Sequence, residues 1–190
     1  MSSSGATKEE MDIPEGYAEI VVVRHGETSC NASQILQGQL DSELNETGRQ
    51  QAAMVASRLS KESKFSAIYS SDLKRAAETA QMIANQCDLK GGGESLDQLH
   101  ERCVSSFQKI ASQHRGERVI VVSHGGFMIE LHSEAAPNRK LEGKIKNTSV
   151  NVILISASNN HWFIKKWGDT SHLPGIGALH SGFGGDKTSA

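Results

Sequence analysis

Residues 18–26 read AEIVVVRHG, and residues 118–126 read RVIVVSHGG. Each stretch begins with an apolar, β-branched run that is typical of a buried strand, and the run ends in a histidine followed by glycine. In open α/β sheets, ligands bind beyond the carboxyl ends of the strands. The pattern therefore predicts that His25 and His124 share one crevice, where the adjoining glycines let the backbone come close to a ligand.

The segments between and after these two stretches alternate between helical and strand patterns. Amphipathic periodicity predicts a helix over 46–61, and Ser70 or Ser71 is expected to cap a second helix that is rich in alanine. Ser95, with a glutamine at the capping-box position, predicts the start of a third helix. Further strands are expected at 67–69, 150–155 and 162–167, and a last helix near Phe127. This alternation predicts an α/β protein with a largely parallel sheet.

The composition narrows the function classes. The chain has 190 residues, a formal net charge of -2 and a pI of about 6.4, which predict one domain and argue against a general binder of nucleic acids or membrane surfaces. Three scattered cysteines without CxxC spacing argue against a disulfide framework or a zinc ribbon. No apolar run approaches the roughly 20 residues that span a bilayer, and the acidic, Ser-rich start lacks the features of a targeting signal.

These features predict a cytoplasmic protein with no nucleic-acid or membrane partner. We expect a flexible N-terminal tail over residues 1–16, one domain over 17–173, and an extended C-terminal tail over 174–190.

Two arginines accompany the histidines. Arg24 directly precedes His25, and Arg75 lies in the first turn of the alanine-rich helix, where a cation opposes the helix dipole unless an anion lies between them. Guanidinium groups bind phosphate oxygens in a fork, and a neutral imidazole is a good nucleophile. The four side chains therefore predict a site for a phosphoryl dianion. A histidine metal site is the main rival, but two arginines would repel a divalent cation, so we expect no metal and no cofactor.

Five stretches, in a fixed order, resemble the motifs of the phosphoglycerate-mutase-like branch of the histidine phosphatase superfamily. They are VVVRHGET at 21–28, QGQLDSELNETGRQQA at 37–52, YSSDLKRAAETAQMI at 69–83, GGESLDQLHERC at 92–103 and VIVVSHGG at 119–126. The likeness runs from about Tyr17 to Leu173. It implies a three-layer α/β sandwich with a mainly parallel central sheet, helices on both faces, and a metal-independent reaction.

The resemblance also implies a role for each matching residue. His25 would be the phosphorylated nucleophile, and Arg24, Arg75 and His124 would complete the catalytic phosphate pocket. The substrate-binding positions would be Asn31, which matches a phosphate-binding asparagine, Gln37 and Gly38 in a loop that approaches the substrate, and Gly125, which matches a backbone contact.

The sequence departs from the family in small changes and in one large one. Cys30 stands where tryptophan is common, Ile35 where arginine is common, and Asn45 where threonine is usual. The large departure is a gap. In the family, several dozen residues separate the alanine-rich helix from GGES. They include an LRE-like stretch, which carries the acid that protonates the leaving group. Here only residues 87–93 lie between Gln86 and Glu94, so the chain resembles a shortened form.

Two carboxylates were considered as replacements for that acid. Glu94 lies nearest the joint and is the candidate surrogate, whereas Glu27 is expected to fix the loop after the nucleophile through hydrogen bonds. The predicted function is a phosphomonoester phosphatase that acts through phosphohistidine on a small phosphorylated metabolite and is weakened by the gap. The alternatives are a phosphoglycerate-type mutase and a catalytically impaired isoform that binds phosphorylated metabolites or inorganic phosphate. A homodimer is an open alternative to a monomer, because the gap would uncover apolar surface.

Overall fold

The centre of the fold is a six-stranded sheet. The computed structural model describes residues 13–89, 94–95, 103–159, 161–175 and 182–183. The strands are β1 (Tyr17–Arg24), β2 (Ala67–Ser70), β3 (Glu94–Ser95), β4 (Arg118–Ser123), β5 (Ile145–Lys146), β6 (Val150–Ser156), β7 (Trp162–Asp169) and β8 (Gly182–Phe183). The helices are α1 (Ser29–Ala32), α2 (Glu46–Leu59), α3 (Lys74–Gln86), α4 (Cys103–Gln113) and α5 (Gly125–Ala135).

The strand order of the main sheet is β3-β2-β4-β1-β6-β7. Its first four strands are parallel neighbours, whereas β6 runs antiparallel to both β1 and β7. Only β6 is therefore reversed, and the prediction of a mainly parallel sheet is confirmed. Strands β5 and β8 form a separate antiparallel pair.

Helices cover both faces of this sheet. Successive residues of a strand point to opposite faces, so Ile20 and Val22 join one apolar cluster while Val21 and Val23 join another. The first cluster packs against α4 and α5, and the second against α2 and α3. Each fully buried aliphatic side chain contributes about 1.5–3 kcal/mol. The two apolar faces of β1 thus produce the predicted three-layer sandwich.

The start of α3 differs from the prediction that Ser70 or Ser71 caps it. Ser70 ends β2, the N-cap residue is Leu73, and its side chain makes no capping hydrogen bond. Instead, the Asp41 carboxylate accepts a 2.7 Å hydrogen bond from the backbone N–H of Lys74. A distant loop therefore satisfies a helix donor that a local serine was expected to satisfy.

The predicted helix start at Ser95 stays a prediction. Glu94 and Ser95 form the short strand β3, which pairs in parallel register with Tyr69 and Ser70 of β2. The described helix α4 begins at Cys103, and residues 96–102 lie outside the described part of the chain. An N-cap residue is itself extended, so Ser95 can end β3 and still precede a helix.

Two glycines let the loop after β1 cross the start of α2. A Cβ atom on Gly48 would lie 2.0 Å from the Glu27 carbonyl oxygen, and one on Gly26 would lie 2.5 Å from the Gly48 carbonyl oxygen. No side chain fits either position without moving the backbone. Gly26, expected from the sequence to admit a ligand, is required here for the packing of α2.

Most of the two predicted tails lies outside the described residues, so the domain boundaries at 16/17 and 173/174 stay predictions. In the part of the chain that the structure describes, no helix has the length and apolar character needed to cross a membrane.

Candidate active site

The two histidines meet at the carboxyl edge of the sheet. Strands β1 and β4 are in parallel register up to the pair Arg24 and Ser123, so the next residue of each chain segment leaves the sheet at the same level. The rings of His25 and His124 have their centroids 5.2 Å apart and are tilted by 56°. The structure therefore places both histidines in one crevice, as the sequence pattern predicts.

His25 is held as a neutral imidazole of one tautomer. Its Nδ1 lies 2.7 Å from the Gly26 carbonyl oxygen, which can only accept, so Nδ1 carries the proton and Nε2 keeps its lone pair. Burial, followed by the charges of Arg24 and His124, lowers the pKa of His25 well below its usual value. At neutral pH the ring is thus unprotonated at Nε2, which is the state that a nucleophile needs.

Arg24 brings a buried cation to the crevice. The residue is 2% exposed, and its Nη1 donates a 2.6 Å hydrogen bond to the Ile145 carbonyl oxygen. Burial, followed by repulsion from Arg75, lowers the pKa of Arg24 to about 10, while the charge of Glu27 acts in the opposite direction. The guanidinium is still protonated at neutral pH, so the crevice holds a positive charge away from water.

Arg75 brings a second buried cation from the first turn of α3. Its Nη1 donates to the Leu40 carbonyl oxygen at 2.7 Å, and its Nη2 donates to the Gly38 carbonyl oxygen at 3.0 Å. The charge of Arg75 also lowers the pKa of His25 and of Arg24, which places it beside both. Arg75 therefore joins the crevice, but two of its three nitrogens also hold the loop at Gly38.

Each of the two guanidinium groups has one buried N–H donor without a hydrogen-bond partner among the described residues. Among the described residues, neither the Nε of Arg24 nor the Nε of Arg75 has a hydrogen-bond partner. A buried donor without a partner costs about 1–3 kcal/mol, and more when the group is charged. Two such donors beside a neutral imidazole are suited to an anion, which can accept from charged donors.

Asn31 and Gln37, two of the predicted substrate-binding residues, are both hydrogen-bonded to Thr28. The Asn31 Oδ1 accepts from the backbone N–H of Thr28 at 3.2 Å, which closes a capping box at the start of α1. The Gln37 Oε1 accepts from the hydroxyls of Thr28 and Ser42. Because these amide oxygens are occupied, the amide NH₂ groups of Asn31 and Gln37 are the parts left to donate to a ligand.

Helix α5 adds the positive end of its dipole. His124 is its N-cap residue, and the buried Gly125 is its first residue. The backbone N–H groups of a first helical turn have no partner within the helix and favour anions. Gly125 therefore lies where a backbone contact to a phosphoryl oxygen was expected.

The described residues hold no group of three or more His, Cys, Asp or Glu side chains that would suit a metal ion. The two arginines of the crevice are donors, which suit an anion.

Comparison with known proteins identifies the family. Residues 20–91 and 88–170 match the family model of the histidine phosphatase superfamily (branch 1), in two segments that meet at residues 88–91. The chain belongs to the histidine phosphatase superfamily. The match covers most of the chain and includes both histidines and both arginines of the crevice.

Two plant members of the superfamily are similar over nearly their whole length. The chain is 45% identical to phosphoglycerate mutase-like protein 4 of Arabidopsis thaliana, with 100% of each chain covered. It is 39% identical to a metal-independent phosphoserine phosphatase of the same organism, over 94% of this chain and 92% of that one.

Solved histidine phosphatase structures share the fold. A phosphoglycerate mutase from Bacillus anthracis has a TM-score of 0.70 at 20% identity, and the match covers 83% of this chain and 96% of that one. A phosphoserine phosphatase from Entamoeba histolytica in complex with 3-phosphoglyceric acid has a TM-score of 0.63 at 22% identity, covering 82% and 99%.

Glu27 and Glu94, the two candidate acids, have different positions. The Oε1 of Glu27 accepts a 2.9 Å hydrogen bond from the Asn45 side chain, so Glu27 fixes the loop as expected. The backbone of Glu94 lies in β3 beside Tyr69, close to the carboxyl edge of the sheet. Its side chain lies outside what the structure describes, and its role as a surrogate acid stays a prediction.

One buried residue beside His25 was not predicted from the sequence. Asn147 is 1% exposed, and its Nδ2 donates to the carbonyl oxygen of His25 at 2.9 Å and to the Oδ1 of Asn31 at 3.2 Å. It lies in a short polar stretch, KNTS, before the apolar strand β6. Such a stretch is typical of a turn, and only the fold brings it to the histidine.

Proposed function

We propose that this chain is a phosphomonoester phosphatase that acts through a phosphohistidine at His25 on a small phosphorylated metabolite. The observation that carries the proposal is the pair of buried guanidinium Nε donors beside a neutral imidazole with its proton fixed on Nδ1. The metal-independent phosphoserine phosphatase among the relatives supports this reaction class. The anion pocket accounts for phosphate recognition without a metal.

The reaction has two steps. In the first, the Nε2 of His25 attacks phosphorus, a P–N bond forms, and the ester P–O bond breaks as the leaving oxygen takes a proton. In the second, water attacks phosphorus and loses a proton to solvent, the P–N bond breaks, and inorganic phosphate is released. Arg24, Arg75 and His124 offset the charge on the phosphoryl oxygens in both steps.

The protonation of the leaving group is the weak point of the shortened chain. The alignment with the 45% identical relative spans 234 positions, which the 190 residues of this chain fill only with gaps. The two segments that match the family model meet at residues 88–91, where the resemblance locates the missing acid. A general acid contributes about 10²–10⁴-fold, so we propose that turnover of alkyl phosphates is reduced by a factor of this order.

The second candidate is an isoform that binds phosphate but does not hydrolyse phosphate esters. The gap favours this alternative, because every pocket residue described above lies outside it. A phosphoglycerate-type mutase is the third candidate, and the mutase-like relative supports it. A mutase must keep water from its phosphohistidine, and a site without its covering segment suits hydrolysis better.

The test compares an aryl phosphate, whose leaving group needs little protonation, with an alkyl phosphate. The wild-type chain is expected to hydrolyse the aryl ester faster, and His25→Ala is expected to reduce the rate to that of buffer. His161→Ala is the matched control, because this exposed histidine contacts Tyr17 and lies outside the crevice. If His25→Ala retains the wild-type rate, the assignment of His25 as the nucleophile is wrong.

A second experiment tests the gap. Insertion of the corresponding segment of the 45% identical relative between Gln86 and Glu94 is expected to raise alkyl phosphate hydrolysis by about 10²–10⁴-fold and aryl phosphate hydrolysis by less. An equal gain for both esters would mean that the segment does not supply the proton. No aryl turnover by the wild-type chain, with phosphate binding retained, would favour the second candidate.

A further inference from the structure

One segment, residues 145–149, lies at the carboxyl end of β1 and makes three hydrogen bonds with Arg24. The Arg24 Nη1 donates to the Ile145 carbonyl oxygen at 2.6 Å. The backbone N–H of Thr148 donates to the Arg24 carbonyl oxygen at 2.9 Å, and the backbone N–H of Arg24 donates to the Ser149 carbonyl oxygen at 3.4 Å. We call this segment the strap. It is fixed to the backbone that carries the nucleophile.

Asn147 is the strap residue whose side chain enters the site. Its Nδ2 donates to the carbonyl oxygen of His25 at 2.9 Å and to the Oδ1 of Asn31 at 3.2 Å. One buried NH₂ group thus joins the backbone of the nucleophile to the carboxamide of a predicted phosphate ligand.

This contact decides which end of the Asn31 carboxamide is free. An asparagine side chain offers an acceptor on one side and two donors on the other. The Asn31 Oδ1 accepts from Asn147 and from the backbone N–H of Thr28, so reversing the amide would place two donors against its NH₂ group. The oxygen is therefore held away from the anion, and the Nδ2 of Asn31 is left to donate to it.

We propose that Asn147 is a positioning residue for phosphate binding, because it orients the Asn31 carboxamide and holds the backbone of His25. It acts through those two residues and not on the phosphate. The inference rests on the proposed function only in taking Asn31 as a donor to the phosphoryl group.

The test is a double-mutant cycle on binding of inorganic phosphate, measured by titration calorimetry. Asn147→Leu removes the donor at similar volume and adds no charge, and Asn31→Ala removes the donor to phosphate. Each single variant is expected to weaken phosphate binding about tenfold, the effect of one lost charge-assisted hydrogen bond. The double variant is expected to bind as weakly as the single variants and no weaker, because the two act as one unit.

Asn151→Leu is the matched control. Asn151 is also buried, and its Nδ2 likewise has two acceptors, but these are the backbone carbonyl oxygens of Val22 and Ser149, and it has no hydrogen bond to Asn31. This variant is expected to lower the melting temperature as Asn147→Leu does and to retain wild-type affinity for phosphate. If Asn147→Leu does not fold, Asn147→Ser, whose hydroxyl has one donor for two acceptors, enters the same cycle.

Two results would overturn the proposal: independent, multiplicative losses in the double variant, or equal losses of affinity in the Asn147 and Asn151 variants. The cycle measures binding and needs no turnover. Failure of the nucleophile assignment, seen as unchanged hydrolysis by His25→Ala, is therefore a separate outcome.

Discussion

The two ends of strand β1 both bury charge, but only one end pairs it. At the amino end, the Glu19 carboxylate is 3% exposed and lies 2.5 Å from the Nε of Arg118 and 2.6 Å from the Nζ of Lys165. At the carboxyl end, Arg24 is 2% exposed and lies beside the like charge of Arg75. One strand thus carries a complete ion-pair network and an incomplete one.

The difference separates stability from binding. A buried charge is tolerated when partners replace the water that it loses. Glu19 has those partners within the chain, so its network stabilises the fold. Arg24 and Arg75 each keep a buried Nε that no described residue satisfies, and an anion from outside would complete their bonds.

The largest expected effect comes from Arg24→Met, which removes one of the two incomplete cations. We expect phosphate binding to weaken by about thirtyfold or more, since a buried charge-assisted contact contributes about 2–5 kcal/mol. The free energy of unfolding without phosphate is expected to change by less than about 1 kcal/mol, because loss of the bond to Ile145 is offset by removal of a buried cation. Calorimetric titration and urea unfolding measure the two quantities. A large loss of stability with unchanged affinity would reverse the roles given to the two ends.

The next effect comes from Glu19→Gln, which breaks the complete network. Removing one partner of a buried pair leaves a charge uncompensated. Arg118 also binds Glu62 and both cations reach solvent, so we expect a loss of about 2–3 kcal/mol in the free energy of unfolding. Phosphate affinity is expected to stay within about twofold of wild type. Urea unfolding tests the first statement, and an affinity loss like that of Arg24→Met would contradict the second.

The smallest effect is a difference in pH dependence between the two ends. Burial, then the charge of Arg58, lowers the pKa of His172 to about 4; this residue contacts Thr148 of the strap. The pKa of His25 is lowered as well. Below pH 6.5 the unfolded chain binds protons that these folded histidines do not bind, so the free energy of unfolding decreases as the pH is lowered. Solvent screening reduces the contribution of the partly exposed His172.

Glu19 loses its contribution at lower pH. Burial raises its pKa, but the bonds to Lys165 and Arg118 outweigh burial and the net pKa is lowered from 4.5. Its stabilisation is therefore complete above pH 4.5 and is lost below it. Unfolding measured from pH 8 to pH 4 is expected to show the histidine phase first, and His172→Asn is expected to reduce its slope by about one proton. An unchanged slope in that variant would show that His172 is not the group that titrates.

The parts of the fold that follow from local pattern were predictable from the sequence. Two β-branched runs ending in His-Gly predicted strands of a largely parallel sheet and a shared crevice, and the structure places His25 and His124 there. The catalytic roles given to these and the other site residues stay predictions until variants are assayed.

The parts that depend on distant contacts were not predictable. The carboxylate at the start of α3 comes from Asp41, and the donor that orients Asn31 comes from Asn147. Capping motifs describe only the nearest few residues, and in each case a partner remote in sequence satisfies the backbone or the side chain instead.

Trapping of the covalent intermediate would show directly whether His25 carries the phosphoryl group. The chain is mixed with an aryl phosphate, quenched in alkali to preserve phosphohistidine, digested, and analysed by mass spectrometry. The account predicts a phosphoryl group on the peptide that contains His25, its absence in His25→Ala, and its presence in His161→Ala. Turnover with no phosphoryl group on that peptide, or with the group on another residue, would contradict it.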